Sequence, residues 1–465
     1  MSETTTSPLS ESTSRLAAAL REHGFVGRLV EPSQNGYDEA RACWNGAVDR
    51  TPSAVAFASD PDDVAAAIAA ARAEGVAFTI RAGSHSVSGR SIRDDAICID
   101  IRGLNTVEVD PATALVRVGG GALLSELDAA TQEHCLAVPG GQISHTGVGG
   151  LTLGGGVGWL MRNHGLTIDS LEAIEVVLAD GQKVRATETD HPDLFWALRG
   201  GGGDFAAVTT FEFRAHEVGP MILGGMMVYP WSDAPAAFGA VRDLMADAPE
   251  DLTTFVTLIT APPADPFPPE VQGGPVLAVA MAWTGDLAEG ERVVDTLRTE
   301  CPPAVDLIAP MPYAALQGML DHTAPHGLNY YDRAHYLPEV SDEFIHTLLS
   351  GFEEVTTPYS HVMTGWMGGA IDRVAPGETA FGHRGARAFT WIIGCSGEEP
   401  LEPTTDWVRR VWEATRPFAD GGVYVNALDL GRPVRDAYAD EIWDRLVAVK
   451  RRYDPDGVLS GNGIG

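Results

Sequence analysis

Lysine is almost missing from this chain. Of 32 basic residues only Lys183 and Lys450 are not arginine, and they stand against 64 acidic residues for a formal net charge of −32. Such a surface repels phosphate backbones and anionic lipid, which argues against nucleic-acid or electrostatic membrane partners. Cysteine is scarce as well. Cys43, Cys98, Cys135, Cys301 and Cys395 are odd in number and lack any CxxC pair, so neither a disulfide framework nor a zinc site is indicated. His322 and His326 are four apart, but Pro325 breaks the helical face that a metal pair would need, and no metal is expected. No run approaches about 18 uninterrupted apolar residues, so a membrane span is not expected. Met1 to Ser14 is rich in Ser, Thr and Glu without a basic segment leading into an apolar one. It reads as a disordered leader rather than a signal peptide, which points to the cytoplasm. The shortage of lysine beside abundant Arg, Ala and Gly suggests a high-GC or salt-adapted host.

What is present is a chain of 465 residues, 45% hydrophobic, long enough for about two domains. Leu16 to His23 reads as a helix. Asp60 caps another that carries Val64, Ala67, Ile68 and Ala71 on one face and stops near Gly75. Val76 to Ile80 reads as a short buried strand. It leads into Arg81-Ala82-Gly83-Ser84-His85-Ser86-Val87-Ser88-Gly89, a loop whose small residues let bare backbone N–H groups approach an anion, with one nucleophilic imidazole at its centre. Three β-rich runs follow from Ala96 to Val118, then a helix from Leu123 to Glu133. Ten glycines fall between Val138 and Asp169, each costing up to about 1 kcal/mol in a regular element, so this segment reads as backbone wrapped around a ligand. No G-x-G-x-x-G spacing occurs there, which disfavours a Rossmann site. Leu171 to Ala186 reads as a hairpin, and Asp190-His191-Pro192-Asp193 as the cap of a short helix through Trp196 and Leu198. A third glycine cluster, Gly200 to Gly203, precedes the alternating strand Val208 to Arg214. Three such loops beside short strands suit one extended ligand held by main chain.

The motifs R-x-G-x-H-x-x-x-G, G-x-x-S-H-T-G-V-G-G-L-T-L-G-G-G-V-G-W and D-L-F-W-A-L-R-G-G-G-G-D-F stand in this order, and the end of the chain adds Tyr424-Val425-Asn426 and Trp443-Asp444-Arg445-Leu446. Together they resemble the berberine-bridge-enzyme-like FAD-linked oxidases of the vanillyl-alcohol-oxidase, PCMH-type fold, from about Tyr37 to Gly463 and most weakly in the middle third. The resemblance implies an α+β protein of two domains. Residues 31–218 would bind FAD after a leader and first helix at 1–30, 219–422 would form an antiparallel substrate sheet covered by helices, and 423–465 would return to the FAD-binding part.

It also implies residue roles. His85 matches the histidine bonded to the flavin 8α-methyl. Ile143 stands where many relatives have a second, cysteinyl attachment, which places the chain with singly attached bacterial relatives. Cys135 is expected to pack as a small hydrophobe. Ala82, Gly83, Ser84, Ser86, Gly147, Gly149, Gly150 and Gly154 would cradle the pyrophosphate and ring, with Arg81, Gly89 and Ser144 in the same loops. His145, Thr146 and Asp169 would belong to the wrap, Val208 would donate from its main chain, and Asn462 would close over the flavin. Asp204 and Ala206 depart from the usual Asn and Gly. On the substrate side the candidates are Tyr330, Tyr331, Arg333, His383, Arg384, Tyr424 and Asn426, with Arg333 as a cation facing the flavin. Ala427 replaces the tyrosine that sugar and alcohol oxidases of the family use as base, leaving Tyr424 or His383 to take the proton.

The function so implied is oxidation of a small organic molecule, alcohol-type or a secondary metabolite, by hydride transfer to flavin N5, with dioxygen as acceptor and a monomer or homodimer as the working state. The Ser144-His145-Thr146-Gly147 segment also resembles polyketide-tailoring flavoproteins of the Favorskiiase kind, in which a flavin-N5-oxide oxygenates the substrate and Thr146 would border the dioxygen pocket. A flavin-holding protein without turnover is the reading from outside enzymes.

Overall fold

The first informative loop owes its position to a pair of parallel strands. Ala54–Phe57 and Phe78–Arg81 both pair in parallel with Ile97–Asp100, and Arg28–Val30 closes the outer edge. The helix Pro61–Glu74 crosses over between Ala54–Phe57 and Phe78–Arg81, the two strands that flank Ile97–Asp100. Asp60 starts it by accepting from the N–H groups of Asp62 and Asp63, and Gly75 ends it at φ 64°. Its face of Val64, Ala67, Ile68 and Ala71 is fully buried against Ile97 and Ile99. The computed structural model describes residues 8–429, 431–459, 461, 463 and 464.

A second sheet is wholly antiparallel, in the spatial order Val107–Asp110, Leu115–Gly119, Ala207–Arg214, Leu171–Val177, Lys183–Ala186. The glycine-rich segment 138–169 lies against it. Where the glycines suggested no regular structure, two short helices form, Val148–Leu153 and Met161–His164. Tertiary contact overrides propensity there: a side chain on Gly149 would stand 2.6 Å from the Gly120 carbonyl oxygen, and one on Gly158 1.8 Å from that of Gly140.

The middle third forms the large antiparallel sheet, ordered Val305–Asp306, Met221–Pro230, Pro275–Trp283, Leu252–Thr260, His361–Trp366, Ala388–Ser396, Asn329–Leu337, with Ala309–Pro312 also pairing with Met221–Pro230. The helices Ala234–Ala246, Leu287–Glu300, Asp342–Phe352 and Glu402–Thr415 share a core with one face, built on Phe238, Leu348 and Trp407. The other face, with Phe255, Ala334, Tyr336, Met363 and Phe389, shares the main core with Trp159, Phe381 and Tyr424. The sheet is therefore a lid over the glycine-rich segment.

The end of the chain returns to the first part. Helix Asp440–Tyr453 packs on Pro192–Leu198, and Lys450 Nζ, buried, binds Asp454, the Asp204 carbonyl and the Leu459 carbonyl. Leu459 bridges Phe78, the first residue of the strand that leads to the loop. At the other end, a helix spans Pro8–Glu22, where the sequence suggested a disordered leader as far as Ser14. Cys135 is exposed at φ 55°, just past the helix Leu124–Gln132, so it does not pack as a small hydrophobe. Among the described residues no helix is long and apolar enough to cross a membrane.

Candidate active site

Arg81 ends its strand directly opposite Asp100, and both side chains are fully buried. The guanidinium spans 2.6 Å to Asp100 and also donates to the Ala40 carbonyl. Arg81 is thus committed within the scaffold, and its role is to fix the base of the loop rather than to touch a ligand. Beyond it, Ser84 takes φ 60°, a left-handed turn that swings successive N–H groups to one side. Among the described residues the backbone N–H groups of Gly83, Ser84, His85 and Ser86 have no hydrogen-bond acceptor. Gly83 and Gly147 press backbone to backbone: a methyl on Gly83 would lie 2.3 Å from the Gly147 nitrogen. That contact brings the first and second glycine-rich loops together, and nothing lies within 4 Å of the position a side chain would take on Gly150.

The meeting of these loops sets two imidazoles against each other. His85 Nε2 and His145 Nδ1 are 2.7 Å apart, a hydrogen bond between half-buried rings. The exposed ring of His326 stands 4.9 Å from that of His145, and possible donor atoms of the three lie within 4.8 Å of one another. The sequence had weighed His326 with His322; its spatial partners lie in the other loops instead. Burial, then the nearby His145 and His326 imidazoles, hold the His85 pKa down to about 3, so its ring is neutral across the physiological range. Trp44 stacks on His85 at 4.7 Å and on Tyr330 at 3.8 Å, tying the loop to the large sheet. Asn45 completes the tie, donating to the carbonyls of Val87 and Tyr330 and accepting from the Tyr330 N–H. No local pattern marks Trp44 or Asn45, because their partners on the large sheet lie some 280 positions away.

Alternation along Asn329–Leu337 decides which side chains meet the loops. Ala334 is paired with Trp391, and Trp391 lies edge-on to Tyr424 at 6.2 Å, so Tyr330, Asp332, Ala334 and Tyr336 share the inner face. Tyr331 and Arg333 belong to the other one. Arg333 pairs with Asp429 at 2.6 Å and lies over the ring of Trp412 on helix Glu402–Thr415, while the Tyr331 hydroxyl donates to the same Asp429. The expectation of an arginine facing the flavin is corrected accordingly: strand parity turns Arg333 to the helix side and its neighbour Asp332 inward.

Asp332 is 1% exposed; Trp391 Nε1 donates to its Oδ2 at 2.5 Å, and its Oδ1 has no partner. Burial pushes its pKa up to about 8 against that hydrogen bond. It is a protonated carboxyl group with one free oxygen, and the sequence reading missed it. No local signal marked it, because both parities of the strand carry polar and aromatic residues.

Tyr424 and Asn426 lie against the glycine arm. The Tyr424 oxygen accepts from the Gly156 N–H at 3.0 Å and from Asn426 Nδ2 at 2.9 Å, and Asn426 also donates to the Leu151 carbonyl. A side chain on Gly154 would stand 2.2 Å from Asn426 Oδ1, and one on Gly155 2.6 Å from the ring of Phe381. Ala427 is buried beside Asn426. His383 stacks on Tyr336 at 4.6 Å with Nδ1 3.6 Å from Asp420.

Several other predicted residues have structural partners. Arg384, buried, and Asp169, half-buried, form a two-pronged ion pair at 2.6 and 2.9 Å, and Asp169 also accepts from the Leu166 N–H, so neither side chain is free for substrate or cofactor. Ser144 is held by Asp321 through both its N–H and its hydroxyl. The Thr146 hydroxyl has no hydrogen bond among the described residues. Val208 sits in the core beside a register shift in its strand, and Gly89 turns at φ 63° against Val48. Asn462 lies outside the described residues.

Residues 52–187 match the FAD binding domain family. An FAD-linked oxidoreductase of Dictyostelium discoideum is 29% identical over 426 residues, 90% of each chain. (R)-6-hydroxynicotine oxidase of Paenarthrobacter nicotinovorans is 26% identical over 475 residues, covering 97% of this chain and 98% of that one. Among solved structures, a variant of the BBE-like 1 protein of Physcomitrella patens superposes with a TM-score of 0.87 at 23% identity, over 97% of this chain and 98% of that chain.

Proposed function

The chain is an FAD-linked oxidoreductase with the fold of the berberine-bridge-enzyme-like, PCMH-type flavoproteins, and on that premise we propose that it oxidises a small organic molecule, with FAD attached through His85 alone and dioxygen as electron acceptor. The observation that carries the reading is the apposition of the two glycine-rich loops. Four unsatisfied N–H groups at 83–86 suit a pyrophosphate, and the neutral imidazole of His85 supplies a nucleophile beside them. Ile143 offers no thiol for a second bond. FAD, when bound, accepts hydride from the substrate and returns the electrons to dioxygen.

The chain's own residues supply the rest. Tyr424 Oη takes the substrate's proton: burial raises its pKa, while the hydrogen bonds from Gly156 and Asn426 work the other way and stabilise the oxygen as charge develops on it. Tyr424 is favoured over His383, which is stacked on Tyr336 and turned toward Asp420. Asp332 orients the substrate through its free Oδ1, which as the protonated oxygen of a neutral carboxyl group matches a hydroxyl or carbonyl acceptor, and the surrounding Trp391, Met363 and Ala334 exclude water. The substrate class this suits is a small, partly apolar alcohol-type or secondary-metabolite molecule.

Anaerobic mixing of the flavin-loaded protein with alcohols, sugars and amines tests the reading. Bleaching of the flavin by a substrate, reversed by air with release of peroxide, is the expected result, and Tyr424→Phe should slow the bleaching about 100-fold while leaving the visible spectrum of the resting protein intact. A product carrying labelled oxygen from dioxygen would replace oxidation by oxygenation. Flavin that no compound bleaches would favour a flavin-holding protein without turnover.

A further inference from the structure

We propose that His145 is the base that readies His85 for covalent attachment, so that the bond to FAD forms at His85 Nδ1. This rests on the proposed single attachment at His85, and it adds which nitrogen reacts and which residue takes the proton.

The hydrogen bond between His85 Nε2 and His145 Nδ1, 2.7 Å long, needs one donor and one acceptor. With two neutral rings only one arrangement leaves a nucleophile. If His85 Nε2 carries the hydrogen and donates it, His145 Nδ1 is the acceptor and the lone pair of His85 is on Nδ1, which has no hydrogen-bond partner among the described residues. In the opposite arrangement the His85 lone pair is consumed by His145 and Nδ1 carries the hydrogen. Attack therefore starts from the first tautomer, and as Nδ1 acquires its new bond the ring becomes a strong acid at Nε2, 2.7 Å from a base already aligned to receive the proton. The depressed pKa of His85 keeps the lone pair available at neutral pH.

The surroundings hold this geometry without competing for it. His145 is fixed on both sides: the Leu124 N–H donates to the Thr146 carbonyl, the Ser125 N–H to the Ser144 carbonyl, and Asp321 grips Ser144. His85 is fixed by the ring of Trp44, 4.7 Å away and inclined by 19°. The exposed His326 ring flanks both and opens a way to solvent for the proton.

The step balances as follows. A bond forms between His85 Nδ1 and the 8α carbon of FAD. One proton leaves that carbon, and the Nε2 proton of His85 passes to His145 Nδ1. The two electrons left on the flavin ring go to dioxygen, which with the two protons gives hydrogen peroxide.

Full-length protein produced with limiting riboflavin and then incubated with FAD in air tests this, with acid-stable protein-bound flavin followed over time by intact mass. The expected result is that His145→Ala binds FAD yet forms the covalent product about 100-fold more slowly than the unmodified chain, and that added imidazole restores much of the rate. His145→Gln, which keeps a hydrogen-bonding side chain but accepts no proton, should stay slow, and it serves in place of the alanine variant if that one does not fold. The histidyl-flavin peptide of the unmodified chain should carry the link on Nδ1. Covalent attachment at the full rate in both variants, or a link on Nε2, would overturn the proposal while leaving attachment at His85 standing. A chain that binds FAD but forms no covalent product, or forms it equally in His85→Ala, would overturn the attachment itself and this proposal with it.

Discussion

Replacing Asp332 by asparagine should stabilise the protein at pH 8 and change it little at pH 4. The carboxyl group is buried, receives one hydrogen bond from Trp391, and has a pKa pushed up to about 8. In the unfolded chain the same group titrates near its ordinary value of about 3.9. Between those values the unfolded chain has released the proton that the folded chain still holds, so unfolding gains with every step of pH; below about 4 and above about 8 the contribution is level. At about 1.4 kcal/mol per unit, four units set a ceiling of roughly 5 kcal/mol at pH 8, and local relaxation brings the expected figure to about 2–3 kcal/mol. Asparagine keeps an oxygen for Trp391 Nε1 and has no such slope. Asp128, buried beside Gln317 with a pKa pushed up to about 7, gives a slope of the same sign in both proteins, which cancels in the difference. Urea denaturation of the two proteins at pH 4, 6, 7 and 8 reads the effect directly. A stability difference that does not grow with pH would refute the reasoning, and a less stable asparagine variant at pH 8 would mean that Asp332 is ionised and partnered.

Two further outcomes follow from close contacts. Gly83→Ala should drive the first glycine-rich loop off the second, because the added carbon would stand 2.3 Å from the Gly147 nitrogen; overpacking of this kind costs about 1–3 kcal/mol, and gel filtration should give protein without yellow colour. Arg384→Ala strands the Asp169 carboxylate in the interior and should lower stability by about 3–5 kcal/mol in denaturant titration, with part of the loss recovered when Asp169 is also made apolar.

Much of the fold could be read from local pattern. The Asp60-capped helix, the 171–186 hairpin and the strand after Gly203 each carry their own turn and capping residues, and the glycine motifs announce loops that a ligand must fill. What local pattern does not hold is pairing across the chain. Arg384 and Asp169 are 215 positions apart, and nothing near either one tells that they neutralise each other. The strand 329–337 reads N-Y-Y-D-R-A-H-Y-L, with polar and aromatic residues at both parities, so alternation alone cannot say whether Asp332 or Arg333 looks inward; the pairing of Ala334 with Trp391 does. The short helices among the glycines 147–165 follow the same logic, since the close packing that requires glycine also supplies the contacts that hold the helix.

The clasp of Trp44 and Asn45 on the segment 324–330 has a consequence for biosynthesis. His85 leaves the ribosome 245 residues before Tyr330, the residue whose strand closes the aromatic stack above it. At about 5–20 residues per second that interval lasts roughly 12–50 s, during which the first glycine-rich loop has no roof. The Leu459 bridge to Phe78 comes later still, 129 residues after Tyr330. A nascent chain therefore carries its nucleophile uncovered until the strand that holds Tyr330 has been made.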